Sequence, residues 1–173
     1  PVVGVTATDA QAVEGVDNTL VFTVAQNNLS NFDTIVKVSL GISTLVAADI
    51  ASISYTNAAG VVVSLTTATQ IQNFLTNGDS VKIPAGSTSA PAITVTVIDD
   101  ALYEQSEHLV LNIAVDANSP TPATVGSNAS ATGTVLDEDN GNPNDGSTTD
   151  GDKPVVSITA TDAQAIEGVD NTL

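Results

Sequence analysis

The stretch ITVTVIDDALYEQSEHLVLNIAV, residues 93–115, decides the fold of this chain. Apolar residues alternate with threonines over 93–97 and with polar or small residues over 109–115, which is the pattern of two half-buried β-strands. Four carboxylates lie within the nine residues 99–107 that connect these strands: Asp99, Asp100, Glu104 and Glu107. Carboxylates this close repel one another, and the basic residue nearest to them is His108. The stretch therefore joins an all-β pattern to a charge cluster that needs a counter-charge.

The composition favours an all-β domain with a core of its own. The chain has 173 residues, of which 42% are apolar, and this is enough for one domain and part of a second. Val, Thr and Ser are abundant, and the turns are rich in Gly, Asn and Asp, as in β proteins. Because Cys, Met and Trp are absent, disulfides, thiolate metal sites and Cys nucleophiles are excluded.

The charge balance excludes anionic partners. Twenty acidic residues face three lysines and no arginine, which gives a net charge of −17. Nucleic acid and anionic membrane surfaces would be repelled. The sequence contains no apolar run of membrane-spanning length and no signal peptide, so no membrane insertion is predicted. Since the chain begins at Pro1, we expect it to be part of a longer protein, with any targeting segment elsewhere.

An internal repeat indicates a tandem array. Residues 1–20 (PVVGVTATDAQAVEGVDNTL) and 154–173 (PVVSITATDAQAIEGVDNTL) are identical at 17 of 20 positions, with an offset of 153 residues. We therefore predict a β-sandwich repeat over 1–139, an acidic linker rich in Asn, Gly and Asp over 140–153, and the first strand of the next repeat over 154–173. We expect the first copy to complete its own domain. There are two alternatives. The second copy could complete this domain from behind the linker, or it could add as a strand to a neighbouring molecule.

The strand pattern predicts a sandwich. The predicted strands are Val2–Thr8, Asn18–Ala25, Thr34–Ile42, Ile50–Tyr55, Gly60–Leu65, Ser80–Pro84, Ala92–Ile98, Glu107–Val115 and Ala129–Leu136. The fourth and fifth form a hairpin across TNAAG. Ile71, Phe74 and Leu75 have helical spacing and Gly78 suits a helix stop, so a short helical insertion is expected. Strands this short, with turns this regular, predict two packed antiparallel sheets.

The ends of such a sandwich can gather the carboxylates into a metal site. Loops collect at the two ends, and one end would bring together these residues: Glu14, Asp99, Asp100, Glu104, Asp137 and Asp139. No Lys or Arg is available to balance them, so a cation is predicted. The donors are hard oxygens, which suit zinc and copper poorly and suit calcium better than magnesium, with more than one ion possible. For the stretch that begins at Asp137, a solvated spacer is the alternative.

Four short motifs, in this order, resemble the Calx-beta family. They are EG (Glu14–Gly15), IPAGS (Ile83–Ser87), IDDALYEQSE (Ile98–Glu107) and LDEDN (Leu136–Asn140), and the resemblance covers about residues 1–140. It implies an immunoglobulin-like Greek-key β-sandwich that binds calcium at one end, through the six carboxylates above and two more acidic positions, Glu107 and Asp49. The insertion around 67–79 and Glu138 in the terminal motif depart from the family pattern.

The predicted function is structural. Acidic, Cys-free repeats of this kind also resemble the extender regions of giant RTX-type bacterial adhesins, which implies a secreted protein at the cell surface, monomeric within its array, whose partners are calcium and neighbouring repeats. The alternatives are a repeat that itself binds a protein or glycan, and a calcium sensor. An enzyme is not predicted, because few aromatic residues could line a sugar cleft and the single His, His108, is expected to face outward.

Overall fold

The computed structural model describes residues 1–100, 102–137, 154, 156–161, 163–164 and 166–169. Its elements, in chain order, are β1 (Val2–Asp9), β2 (Gln11–Val13), β3 (Thr19–Gln26), β4 (Thr34–Leu40), β5 (Ile50–Thr56), β6 (Val62–Leu65), α1 (Ala68–Asn77), β7 (Asp79–Ile83), β8 (Ile93–Val97), β9 (Glu107–Val115), β10 (Thr124–Val125) and β11 (Ser130–Leu136). The described helix is too short to cross a bilayer, and no described segment meets that requirement.

Two sheets pack face to face. One has the strand order β10-β1-β3-β8-β5-β6 and the other β2-β11-β9-β4-β7. The strand order β1-β3-β8-β5 in one sheet and β4-β9-β11 in the other is the immunoglobulin-like arrangement. The predicted all-β, immunoglobulin-like sandwich with a short helix is confirmed.

The prediction that both sheets are entirely antiparallel is wrong for two pairs of strands. β1 pairs with β10, and β2 with β11, in parallel. The reason is that the chain switches sheets at Ala10 without reversing, so β1 and β2 run in the same direction as β11, which ends the domain. The backbone N–H of Thr134 donates to the Ala10 carbonyl at this switch. The two short strands β2 and β10 were not predicted, because three and two residues are too few to show a period.

The core follows the alternation of the strands. In β3, every second side chain is buried, including Leu20, Phe22 and Val24, as predicted. Gly133 of β11 lies opposite them, and a Cβ there would come within 2.8 Å of Leu20 Cδ1, so only glycine permits this approach. The third predicted strand is shorter than expected, because β4 ends at Leu40 and Ile42 is 92% exposed.

The helical insertion packs as its spacing predicts. Thr67 caps the helix N-terminus and forms a capping box with Gln70. Ile71, Phe74 and Leu75 are buried, and the Phe74 ring lies 5.1 Å from the ring of Tyr55, centroid to centroid. The helix thereby covers part of the β5 surface and returns the chain to β7.

The chain enters and leaves the sandwich at opposite ends. We call the end that holds Pro1 and the loops 27–33, 84–91 and 116–123 the proximal end. There the Thr124 N–H donates to the Pro1 carbonyl. β11 then carries the chain to the other end, where the Glu14 N–H donates to the Leu136 carbonyl at 3.0 Å. We call this second end, which holds loops 41–49 and 98–106, the acidic end.

The two copies of the repeated segment differ in structure. Val3 and Val5 of β1 are each 1% exposed, whereas their counterparts Val156 and Ile158 are 94% and 99% exposed. The described residues of the second copy belong to no strand. The boundaries at 139, 140–153 and 154–173 stay predictions, and the linker 140–153 lies outside the described residues.

Candidate metal centre

A backbone hydrogen bond joins the 41–49 and 98–106 loops at the acidic end. The 98–106 loop follows β8, and the Ile98 N–H donates to the Asp49 carbonyl at 2.9 Å. Asp49 closes its own turn, because its Oδ2 accepts from the Val46 N–H at 2.8 Å. Asp100 likewise accepts from the Leu102 N–H at 2.8 Å. Such short-range bonds are typical of Asp in turns, and they fix the position of each carboxylate.

Glu107, the first residue of β9, has the most perturbed carboxyl group of this end. Burial, then the negative charges of Asp49 and Glu104, and then a hydrogen bond with Asp49 raise the pKa of Glu107 to about 7. Partial burial beside other carboxylates favours the protonated form of a carboxyl group, and a cation bound beside it would oppose this effect.

Glu104 connects the loop to the end of β11. Its backbone N–H donates to Asp137 Oδ2 at 3.0 Å. Burial raises the pKa of the Glu104 side chain, and the charges of Asp49, Asp100 and Asp137 raise it further. Five of the predicted ligands are therefore close enough to interact electrostatically: Asp49, Asp100, Glu104, Glu107 and Asp137.

Glu14 and Asp99 lie on the neighbouring turn. Glu14 is 6% exposed and Asp137 5% exposed, so two of the predicted ligands are buried. A Cβ on Gly15, whose φ is 69°, would lie 3.4 Å from both carboxylate oxygens of Asp99. Asp99 therefore contacts the turn that follows β2, and the absence of a side chain at Gly15 leaves room for its carboxylate.

The carboxylates are neighbours, but they do not converge. Within the described residues, no group of three or more His, Cys, Asp or Glu side chains has a geometry that could hold a metal ion. Asp139, a predicted ligand, lies outside the described residues. His108 is in contact with Thr44, with 3.3 Å between Nδ1 and Oγ1. The donor chemistry suits calcium, while the ligand assignment stays a prediction.

The described lysines lie away from this cluster. Lys82, on β7, forms an ion pair with Asp33 at 3.3 Å beside the proximal end. Lys37 is in the middle of β4, and its charge acts on Asp116 in the 116–123 loop. In the part of the chain that the structure describes, no lysine therefore balances the acidic end.

Sequence reasoning missed one oxygen at this end. The side-chain oxygen of Asn18, Oδ1, is buried. Among the described residues, it is the buried side-chain oxygen that has no hydrogen-bond partner. The Asn18 carbonyl accepts from the Val97 N–H at 2.8 Å, which places this residue beside the last residue of β8. An amide oxygen is an ordinary calcium ligand. No signal in the sequence marked it, because Asn is common in turns.

Comparisons with known proteins give no family match and only a limited similarity to solved structures. No family model matches the chain, and no curated protein matches it. Among solved structures, it is similar to CBD12 from CALX1.2, with a TM-score of 0.48 and 15% identity over 78% of this chain and 44% of that chain. It is also similar to the apo-form Calx CBD1 domain, with a TM-score of 0.46 and 14% identity over 79% of this chain and 98% of that chain.

A domain of a bacterial surface protein is also among the similar solved structures. The collagen binding subdomain of the Enterococcus faecalis surface protein ACE matches with a TM-score of 0.34 and 13% identity, over 79% of this chain and 97% of that chain. This chain spans less than half of the CALX1.2 CBD12 structure. The molecule described above is an immunoglobulin-like β-sandwich with an acidic end. Its membership of the Calx-beta family stays a prediction.

Proposed function

We propose that this chain is a calcium-stabilised structural repeat that extends a large surface adhesin and projects a ligand-binding region away from the cell. The observation that carries this proposal is the cluster of mutually repelling carboxylates at the end where the chain leaves the domain. Burial and neighbouring charges raise the pKa of both Glu104 and Glu107 there. A bound cation would remove that repulsion in the folded state alone.

The proposed ligands are the carboxylates predicted from the sequence, together with the Asn18 amide oxygen. The carboxylates are Glu14, Asp49, Asp99, Asp100, Glu104, Glu107, Asp137 and Asp139. Calcium accepts six to eight oxygens with flexible geometry, and carboxylates that are neighbours without converging suit it better than a rigid octahedral ion. When bound, it would supply positive charge and hold the 98–106 loop against the end of β11.

The path of the chain supports the extender role. Pro1 lies at the proximal end and Asp137 at the acidic end. The eight residues of β1 alone span about 26 Å at the usual rise of a strand. Repeats joined in this way follow one another head to tail, so each adds its own length to the array.

Calcium binding by the whole chain tests the first half of the proposal. We expect calcium to raise the melting temperature, because calcium at one hundred times its dissociation constant stabilises the fold by about 2.7 kcal/mol. Asp99→Ala and Glu104→Ala should lose most of that gain. Asp33→Ala is the matched control, because Asp33 is an acidic turn residue at the proximal end, paired with Lys82.

Calorimetric titration distinguishes binding from a general salt effect. We expect a saturable heat for calcium in the parent chain and in Asp33→Ala, and a much weaker one in Glu104→Ala. A melting temperature that is the same in calcium and in chelator, with no titratable heat, would contradict the proposal.

A second candidate function is recognition of a partner by the repeat itself. The observation that favours it lies at the proximal end, where Leu29 and Phe32 are 66% and 64% exposed. Their loop is held by Thr121, which donates to the Phe32 carbonyl at 2.9 Å and lies 2.7 Å from Ser30 Oγ. Large apolar side chains on an ordered loop are typical of contact surfaces. Loss of cell or glycan binding in Phe32→Ser, with an unchanged melting temperature, would favour this function.

A further inference from the structure

The place that β1 occupies has two candidate strands in this one chain. β1 and β2 lie within residues 1–13, and residues 154–166 repeat that segment with three conservative differences, Gly4 to Ser157, Val5 to Ile158 and Val13 to Ile166. The first copy is buried in the sandwich, while Val156 and Ile158 are almost fully exposed. The sandwich has one β1 position and the chain has two nearly identical segments. The question is whether the second segment also fits the β1 position.

The backbone contacts of β1 do not depend on its side chains. The Val5 N–H donates to the Asn128 carbonyl at 2.9 Å, and the Val3 carbonyl accepts from the Gly126 N–H at 2.8 Å. On the other side, β1 forms an antiparallel ladder with β3. A segment with the same alternation and no proline inside it can form all of these bonds.

Two of the three differences lie in β1, and both can be accommodated, while the third replaces the half-buried Val13 at the end of β2 by isoleucine. A Cβ at Gly4 would lie 3.4 Å from Asn128 Cβ and 3.6 Å from Asn128 O, which is ordinary contact, so the serine of the second copy is accommodated. Val156 would take the buried position of Val3 unchanged. Ile158 would take the position of Val5, where it adds one methylene of apolar volume to the core.

The β1 position is open to exchange. β10, the outer neighbour of β1, has only two residues and pairs with only Val2 and Val3. β2 is likewise the outermost strand of the other sheet. The segment 1–13 therefore lies along the open edges of both sheets, and it can leave and be replaced without any other strand crossing it.

The second copy can reach this position within its own molecule. The chain leaves the sandwich at Asp137, and Pro154 would have to reach the proximal end, which is about 26 Å away along β1. Sixteen residues separate Asp137 from Pro154, and an extended chain of that length spans up to about 55 Å. A tether of this length presents the second copy at high effective concentration.

From this fit we propose that residues 154–166, which are predicted to begin the next repeat, also act as a spare edge segment and complete the sandwich of this repeat when residues 1–13 are displaced. The first copy holds the place in the resting protein because it runs directly into β3 without a long loop to close. The spare keeps the sheet edge covered when the first copy is pulled away. This proposal rests on the repeat and the fold, and it does not depend on calcium.

Placement can be tested by cross-linking in the full chain, which has no cysteine of its own. The Gly4 and Asn128 Cβ positions are 3.4 Å apart, close to the 3.5–4.5 Å of a disulfide. Gly4→Cys with Asn128→Cys should therefore form a disulfide and serves as the positive control. Ser157→Cys with Asn128→Cys should form an intramolecular disulfide once Val3→Asp and Val5→Asp have expelled the first copy. Peptide mapping identifies the linked residues.

Stability gives an independent reading. We expect Val156→Asp/Ile158→Asp to leave the melting temperature unchanged. We expect Val3→Asp/Val5→Asp to unfold cooperatively as a monomer at a lower temperature, and the fourfold variant to lose cooperative unfolding. The proposal is overturned if Val3→Asp/Val5→Asp is as unfolded as the fourfold variant, if the Ser157 disulfide does not form while the Gly4 control does, or if the Ser157 disulfide joins two molecules.

Discussion

At the scale of single residues, the acidic end is governed by carboxyl groups that raise one another's affinity for protons. Burial, then the negative charges of Asp49 and Glu104, and last a hydrogen bond with Asp49 raise the pKa of Glu107 to about 7. In the unfolded chain the same group has its ordinary pKa of 4.5. The folded protein therefore binds a proton that the unfolded chain releases between these two values.

The sign of the resulting pH dependence is opposite to that of an ordinary ion-paired carboxylate. The stability contributed by this proton is complete below pH 4.5 and is lost as the pH rises through about 7. In chelator, we expect the melting temperature to be higher at pH 5 than at pH 8, by a few degrees, which corresponds to about 1–2 kcal/mol after solvent screening. Thermal unfolding in chelator across this pH range measures it.

Glu107→Gln is the control for this prediction, since it keeps a hydrogen-bonding group without the charge. In chelator it should flatten the pH profile and raise the melting temperature at pH 8. With calcium present, the parent protein should show the reverse trend, because protons compete with calcium for the carboxylates. An unchanged profile in Glu107→Gln would show that another group controls it. Asp33 and Asp116 cannot, because hydrogen bonds lower the pKa of each.

Asn18 allows a second prediction at this scale. Its buried amide oxygen is unsatisfied within the described residues, and such a group typically costs about 1–3 kcal/mol. We expect Asn18→Ala to leave stability in chelator unchanged or to raise it, and to weaken calcium binding. Titration calorimetry beside thermal unfolding separates the two effects. Equal affinity for calcium in Asn18→Ala and in the parent would exclude this oxygen as a ligand.

At the scale of elements, the helical insertion depends on the residue that ends it. Gly78 has a φ of 65°, its N–H donates to the Phe74 carbonyl, and a Cβ at this position would collide with the carbonyl oxygen of Val38. The helix can therefore turn into β7 beside β4 only if this residue has no side chain. Its spacing and its stop were both predictable, whereas the contact with Val38 follows from tertiary packing.

Gly78→Ala should destabilise the domain strongly. The backbone conformation alone, φ 65° with ψ −172°, costs an L-residue about 1–3 kcal/mol, and the collision with backbone that cannot move aside adds to it. Gly86→Ala is the matched control, because Gly86 has a φ of 74° and a Cβ there would meet nothing within 4 Å. Denaturant unfolding of both variants isolates the packing contribution as their difference. Equal losses would mean that the β4–α1 contact yields to the added methyl group.

At the scale of the whole molecule, the direction of the array is decided where the chain leaves the sandwich. Repulsion between whole repeats is too weak to set this direction, because salt screens exposed charges beyond about 8 Å at physiological ionic strength. Asp137 directly follows the last strand, and its carboxylate accepts from the Glu104 N–H. A calcium ion held by Asp137 and its neighbours would fix the angle at which the linker departs.

A two-repeat protein tests whether calcium orients the array. We expect its maximum dimension in solution scattering to be larger, and its size distribution narrower, in calcium than in chelator. Asp137→Ala/Asp139→Ala should abolish this difference, and Asp33→Ala should keep it. Folding of both domains in chelator is checked by circular dichroism. Identical dimensions in calcium and chelator would show that calcium stabilises the repeat without orienting it.

Much of the fold was predictable, because alternation is a local property of the chain. The β9 boundaries, Glu107–Val115, agree with the predicted strand, and Leu20, Phe22 and Val24 are buried together. The very short strands were not predictable, since β2 exists only because Leu136 and its neighbours in β11 present free backbone groups to it. At the acidic end, the sequence indicated which carboxylates could be neighbours. It could not indicate Asn18, because its side-chain oxygen lacks a hydrogen-bond partner only as a result of burial in the fold.

The repeated segment separates what the sequence determined from what the tertiary structure decided. In both copies the residues EGV form the same turn, with φ of 69° at Gly15 and 77° at Gly168. The N–H of the residue after the glycine donates to the carbonyl two residues before it, Val16 to Val13 and Val169 to Ile166. This turn is local, because glycine permits the positive φ and the bond closes within four residues.

The strand that precedes the turn is a different case. Residues 2–9 form β1, while the described residues of the nearly identical second copy form no strand and expose Val156 and Ile158. A strand has no hydrogen bonds of its own and becomes one only when another strand and a core accept it. The sequence by itself determined the turn and the alternation. Only the tertiary structure decided that the first copy is a strand, because β3 pairs with it and the core accepts its side chains.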